Sequence, residues 1–113
     1  MDEQRITQAL LQLCDNAVKH TQPGDAITLQ CTVAGGTAEF VVEDTGRGVP
    51  AADRERIFER FGRARLAQGD EGFGLGLSIV RAIAEAHAGS VHVEDASGGG
   101  ARFVLRVPMA RRD

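Results

Sequence analysis

Gly72-Phe73-Gly74-Leu75-Gly76-Leu77-Ser78-Ile79-Val80 sets a glycine at every second position and then turns straight into a helical pattern. Alternating glycines let a backbone pass close to a ligand and adopt positive φ without strain. The helix that follows offers unpaired N–H groups and the positive end of its dipole, both of which suit phosphate. A flexible loop ahead of a helix reads the same way, so the stretch needs support from the rest of the chain. No strand pattern leads into Gly72, which sets aside a dinucleotide-binding Rossmann unit.

Downstream, the pattern predicts a helix from about Leu75 to His87, with Ile79, Val80, Ile83 and Ala84 on its core face. Gly89 is expected to stop it at the C′ position. Two strands follow. Val91 and Val93 alternate with His92 and Glu94, and Phe103, Leu105 and Val107 alternate with Arg102 and Arg106. Ser97-Gly98-Gly99-Gly100 is the hairpin between them, and His92 is expected to face solvent.

Upstream, Gly62 to Glu71 has no clear period and mixes small with charged residues, a lid candidate hinged on glycine. Arg63 and Arg65 can reach phosphate from there, although solvated loop arginines read equally well. Pro50 is placed to start a short helix to about Phe61, with Ile57, Phe58 and Phe61 on its apolar side. Before it, a strand from Ala38 to Asp44 puts Phe40, Val42 and Asp44 on one face. A carboxylate aimed inward is costly unless it accepts hydrogen bonds, and an adenine amine is one such donor. Gly46 and Gly48 would let the backbone run under a flat ring; an ordinary Asp-Gly turn is the alternative.

Further upstream, Ala26 to Val33 alternates as a half-buried strand with Ile27, Leu29, Cys31 and Val33 on the apolar side. From Asp2 to His20 the spacing of Ile6, Leu10, Leu13 and Ala17 predicts an amphipathic helix capped by Asp2. Gln12, Asn16 and Lys19 share a second stripe of that helix. Two amides and an ammonium so aligned could hold a metal–phosphate group, or simply face solvent. Asn16 is the odd member, because asparagine inside a helix is a poor helix former. His20 sits in the last turn, where a cation favours the dipole.

The 113 residues suit one domain with a single core. A net charge of −3 argues against general nucleic-acid binding. No apolar run reaches membrane-spanning length and no signal peptide opens the sequence. Cys14 and Cys31 fall on apolar positions and read as buried reduced thiols of a cytoplasmic protein. The expected architecture is an α/β two-layer sandwich: a mixed, mostly antiparallel sheet with about three helices on one face.

Four stretches in this order resemble the catalytic ATP-binding domain of bacterial sensor histidine kinases, within the superfamily that includes gyrase, the heat-shock clamp ATPases and mismatch-repair ATPases. Leu10 to Thr21 resembles the N box, Asp44-Thr45-Gly46-Arg47-Gly48 the G1 box, Ile57 to Phe61 the F box, and Gly72 to Gly76 the G2 box. The resemblance implies the Bergerat ATP-binding fold and a Mg²⁺-dependent kinase passing the γ-phosphoryl group of ATP to a histidine on a separate dimerisation domain. By that resemblance Asn16 is the magnesium ligand, Lys19 contacts phosphate and His20 flanks the nucleotide. Asp44 takes the adenine amine, Gly46, Gly48 and Val49 shape its pocket, and Phe58 belongs to the F box beside it. Arg63 is a lid arginine near the γ-phosphate, and Gly72, Phe73, Gly74, Leu75, Gly76 and Leu77 line the triphosphate.

Two positions depart from the pattern. Gln12 stands where many members have Asn and where hydrolysing relatives carry a water-activating Glu, which favours transfer over hydrolysis. Ala101 stands where Thr or Ser is common. His20, His87 and His92 lie within the fold and lack the acceptor context, and a strand usual before the N box is missing. The expectation is an N-terminally truncated or split catalytic domain over residues 1–113, cytoplasmic in itself, with a parent that can be anchored in the inner membrane. Its partners would be the acceptor domain and a response-regulator receiver domain. The alternatives are an anti-sigma-factor-type serine/threonine kinase of the same fold and a non-catalytic nucleotide-binding module.

Overall fold

The computed structural model describes residues 2–59 and 76–109. The first helix, α1, is Glu3–Lys19. Asp2 caps it, its Oδ1 accepting from the N–H groups of Gln4 at 3.1 Å and Arg5 at 3.2 Å. Glu3 in the first turn and Lys19 in the last match the dipole. Ile6, Ala9, Leu13, Asn16 and Ala17 form the buried stripe that 3.6-residue periodicity requires.

Two strands follow, β1 (Ile27–Ala34) and β2 (Thr37–Asp44), joined by Gly35-Gly36. Both glycines have positive φ, 61° and 80°, which a two-residue hairpin turn demands. Helix α2 is Gly76–Ala86, and β3 (Ser90–Asp95) and β4 (Ala101–Pro108) complete the sheet. The order is β1-β2-β4-β3, with every pairing antiparallel. The helices pack against β2, β3 and β4 on one face, the two-layer arrangement expected. Leu13, Val42, Leu77, Val80, Ile83, Phe103, Leu105 and Val107 make the centre of the core.

The opposite face of the sheet is a lattice of ion pairs: Arg106 with Glu39 at 2.6 Å, Arg102 with Glu43 at 3.1 Å and with Glu94 at 3.0 Å, and His92 with Glu94 at 3.0 Å. Val41 and Val104 lie buried between these pairs. His92, expected in solvent, is therefore half-exposed and paired.

Four sequence expectations need correction. β1 is exposed along its whole length, with Leu29 53% and Val33 57% accessible. Its alternation places the apolar row correctly, opposite Val42 and Ala38. Burial also needs an element above the strand, and among the described residues the helices pack on β2, β3 and β4. Cys31 is exposed for the same reason, and Cys14 is only partly buried. The helix expected from Pro50 is instead two 3₁₀ turns, Ala51–Asp53 and Arg56–Phe58. Helix α2 ends with Ala88, not Gly89, in the left-handed position at φ 60°; the Gly89 N–H reaches back to the Ala84 carbonyl at 2.7 Å and that of Ala88 to Glu85 at 3.0 Å.

Candidate functional site

Among the described residues two polar side chains are buried, Asn16 at 4% and Asp44 at 2% exposure. Burial of such groups is unfavourable unless a partner compensates, so both mark positions where packing alone does not explain the residue.

Asn16 lies at the edge of the buried stripe of α1, next to Ala17. Its Oδ1 is buried without a hydrogen-bond partner among the described residues. An orphaned neutral oxygen of this kind suits a hard cation or a ligand N–H. One turn earlier, Gln12 reaches the start of α2: a Cβ on Gly76 would lie 2.5 Å from Gln12 Oε1. A side chain at Gly76 would displace only the flexible end of Gln12, which stands at the N-terminal end of that helix. One turn later, Lys19 is exposed and paired with Asp15 at 3.1 Å. An exposed pair of this sort is worth at most about 1 kcal/mol, so the ammonium is easily released to another anion.

His20 ends α1. Its Nδ1 lies 2.8 Å from the Asn16 carbonyl oxygen, which fixes Nδ1 as the donor. The loop after β2 rests on this helix end. A Cβ on Gly46 would run into the His20 carbonyl oxygen, so only glycine allows the loop to lie there. Asn16, His20, Gly46 and Asp44 thus form one run of contacts. Beside it opens a cavity of about 410 Å³ lined by Lys19, His20, Thr21, Gln22, Asp25, Thr45, Gly46 and Arg47.

Asp44 ends β2 pointing inward, as its parity with Val42 requires. Its Oδ1 accepts the Gly46 N–H at 2.8 Å and the Ala101 N–H at 3.4 Å. These backbone donors hold a buried carboxylate in place and leave Oδ2 without a hydrogen bond among the described residues. Ala101 brings no hydroxyl, but its own N–H does part of that work. The preceding Gly100 presses on the Asp44 carbonyl oxygen so closely that a Cβ there would overlap it. Sequence reading treated Gly100 only as a hairpin residue; a run of three glycines was the one available sign that a backbone passes close by.

Gly48 has φ 73°. Val49 is 7% exposed and belongs to the core cluster. Arg54 steadies that end of the loop, bonding the Val49 carbonyl at 3.2 Å and Asp95 at 2.6 Å. Phe58 is buried and packs edge-on to Phe103 with ring centroids 6.1 Å apart. Leu77, expected along the triphosphate, is a core side chain at 1% exposure, so only its backbone can face a ligand. Arg63, Gly72, Phe73, Gly74 and Leu75, with the expected lid and Phe61, lie outside the described residues. A larger cavity of about 670 Å³ lies between Phe58–Glu59 and Ser78, Ile79 and Ala82 of α2, away from both buried polar groups.

Comparison with known proteins bears on the family and the fold. Residues 1–111 match the family described as histidine kinase-, DNA gyrase B-, and HSP90-like ATPase. The adaptive-response sensory kinase SasA of Crocosphaera subtropica is 42% identical over 113 residues, covering 97% of this chain and 29% of that protein. The sensor protein SrrB of Staphylococcus aureus is 36% identical over 109 residues, covering 95% of this chain and 19% of that protein. The chain thus spans under a third of these curated relatives. Among solved structures, the mycobacterial sensor histidine kinase MprB superposes with a TM-score of 0.81 at 34% identity, covering 96% of this chain and 74% of that one. Full-length ShkA, solved in complex with AMPPNP, superposes at 0.83 with 39% identity, covering 98% of this chain and 23% of that one. The chain belongs to the histidine kinase-, DNA gyrase B-, and HSP90-like ATPase family.

Proposed function

We propose that residues 1–113 form one catalytic domain that binds Mg-ATP and transfers its γ-phosphoryl group to a histidine nitrogen on a separate dimerisation domain. The observation that carries this reading is that Asn16 and Asp44, the residues assigned to the metal and to adenine, are the two polar side chains buried among the described residues, and each keeps an oxygen without a hydrogen bond there.

Asp44 Oδ2 accepts the amine of adenine, while Gly46 and Gly48 leave room for the ring. The residues fit a magnesium ion. Asn16 offers one buried neutral oxygen, and Mg²⁺ commonly takes one or two protein oxygens, with water and phosphate oxygens filling the rest. Bound there, the ion would neutralise charge on the phosphates. Gln12 and the first turn of α2 face the same end, and Lys19 leaves Asp15 for a phosphate oxygen. Arg63 and Gly72 to Leu75 are assigned to the triphosphate on sequence alone.

In the transfer, the lone pair of the acceptor imidazole forms the N–P bond as the bond from γ-phosphorus to the ADP oxygen breaks. The imidazole proton passes to an acidic neighbour on the acceptor domain. Positioning and charge neutralisation supply most of the rate in such reactions. Gln12 is an amide and cannot act as a general base toward water, which favours transfer over hydrolysis. The domain is assigned to the cytoplasm, where ATP is available, with a response-regulator receiver domain downstream of the phosphohistidine.

The test is to mix the chain with γ-labelled ATP and a histidine-kinase dimerisation domain. Acid-labile, alkali-stable label on that domain supports histidine transfer. Label on an anti-sigma antagonist instead, or bound ATP with no transfer to either, contradicts it.

A further inference from the structure

We propose that Thr45 and Asp25 are positioning residues for base recognition: together they clamp the segment carrying Asp44 to the end of the helix carrying Asn16 and His20. Thr45 lies between Asp44 and Gly46. Its hydroxyl accepts the Ala26 N–H at 2.9 Å and donates to Asp25 Oδ1 at 3.2 Å. Its backbone N–H donates to the Ala26 carbonyl at 3.1 Å. Asp25 uses its other oxygen, Oδ2, to accept the Gln22 N–H at 2.8 Å, and its own N–H returns to the Gln22 carbonyl at 2.9 Å. One carboxylate therefore ties the turn after α1 to the loop after β2.

The clamp acts where the two halves of the site meet. β1 and β2 make their last paired rung at Ile27 and Asp44, and beyond it the chain is held by the Thr45–Ala26 backbone bond and by the bonds of the Thr45 hydroxyl. The orientation of Asp44 depends on the Gly46 N–H at its Oδ1, and the position of Gly46 depends on the residue between them. With the Thr45 hydroxyl in place, Gly46 is pinned against the His20 carbonyl and Asp44 Oδ2 keeps a fixed direction. Asp25, Ala26 and Thr45 are all exposed. Exposed polar contacts add little to global stability, so this arrangement suits a local geometric role better than a structural one.

The inference rests on the reading of Asp44 as the adenine acceptor, and the test separates the two. Affinity is measured by calorimetry for a non-hydrolysable ATP analogue and for the corresponding purine-riboside triphosphate, which lacks the amine. The ratio of the two dissociation constants reports the Asp44 contact alone. Thr45→Val keeps the shape and removes the hydroxyl. It should lower the preference for the amine by about threefold to tenfold, the worth of one hydrogen bond, with the purine-riboside affinity unchanged. Thr45→Ser should restore the preference, and Asp25→Ala should reproduce the loss should the valine variant fail to fold. A wild-type preference that survives both Thr45→Val and Asp25→Ala overturns the clamp, as does equal weakening of both ligands. A wild-type chain that binds both ligands equally overturns the Asp44 reading and the clamp with it.

Discussion

Asn16→Ala should make the ligand-free protein more stable while removing its response to Mg-nucleotide. Asn16 is 4% exposed and its Oδ1 has no partner among the described residues. Leaving a buried acceptor unsatisfied costs about 1–3 kcal/mol, and alanine removes that cost. Replacing asparagine inside a helix by alanine adds up to about 0.7 kcal/mol. Against this, the lost amide leaves a void of roughly 30 Å³, worth about 0.7 kcal/mol at the usual cavity coefficient. The balance is a gain of about 1–3 kcal/mol, or several degrees in Tm for a domain of this size. With nucleotide at a hundred times Kd, the wild-type chain gains about 2.7 kcal/mol from binding. A hundredfold loss of affinity at the same concentration leaves about 0.4 kcal/mol. The variant should therefore melt higher without ligand, and Mg-nucleotide should shift the balance toward the wild type by about 2.3 kcal/mol. Thermal denaturation by circular dichroism, with and without a non-hydrolysable analogue and Mg²⁺, reads both effects. A variant destabilised by more than about 1 kcal/mol without ligand, or one that keeps the full magnesium-dependent gain, refutes the reasoning.

The other predictions concern separate parts of the molecule. Asp44→Asn keeps the size of the side chain and removes its charge; losing a charge-assisted hydrogen bond should weaken adenine-nucleotide binding by about tenfold to a hundredfold, measured by calorimetry. Leu13→Ala, at a fully buried position, should cost about 2–5 kcal/mol in urea denaturation, whereas Leu29→Ala on the uncovered strand should cost under about 1 kcal/mol. Glu94 should titrate below the ordinary glutamate value of 4.5, chiefly through its hydrogen bond with His92 and further through Arg102. Its folded-state pKa is lowered, so its small contribution to stability is complete above the ordinary value and is lost as pH falls through the lowered one. Carboxyl NMR titration checks this, and His92→Ala should move the midpoint upward.

Much of the molecule was legible in the sequence where a residue's partners are local. The cap at Asp2, the core stripe of α1 and the parity that points Asp44 inward all depend on neighbours a few residues away. Features set by distant contacts were not legible. Nothing in Ile27 to Ala34 tells whether a helix lies above it, and among the described residues none does. The segment after Pro50 carries helix-like spacing at Ile57 and Phe58, but those side chains are held by core contacts, Phe58 against Phe103, rather than by a helical backbone. Gly89 drew the helix-stop assignment because glycine favours positive φ, yet the returning chain puts Ala88 in that conformation. At the site, the identity of Asn16 and Asp44 could be suspected from residue type alone. The donors from Gly46 and Ala101 and the Thr45–Asp25 tie needed the fold, because they join segments up to 57 residues apart.

The most direct test of the account is calorimetric titration of the chain with a non-hydrolysable ATP analogue, with and without Mg²⁺. The account predicts micromolar binding, on the order of −7 to −8 kcal/mol, that weakens clearly when Mg²⁺ is removed. A folded protein that shows no binding, or binding indifferent to Mg²⁺, would contradict it.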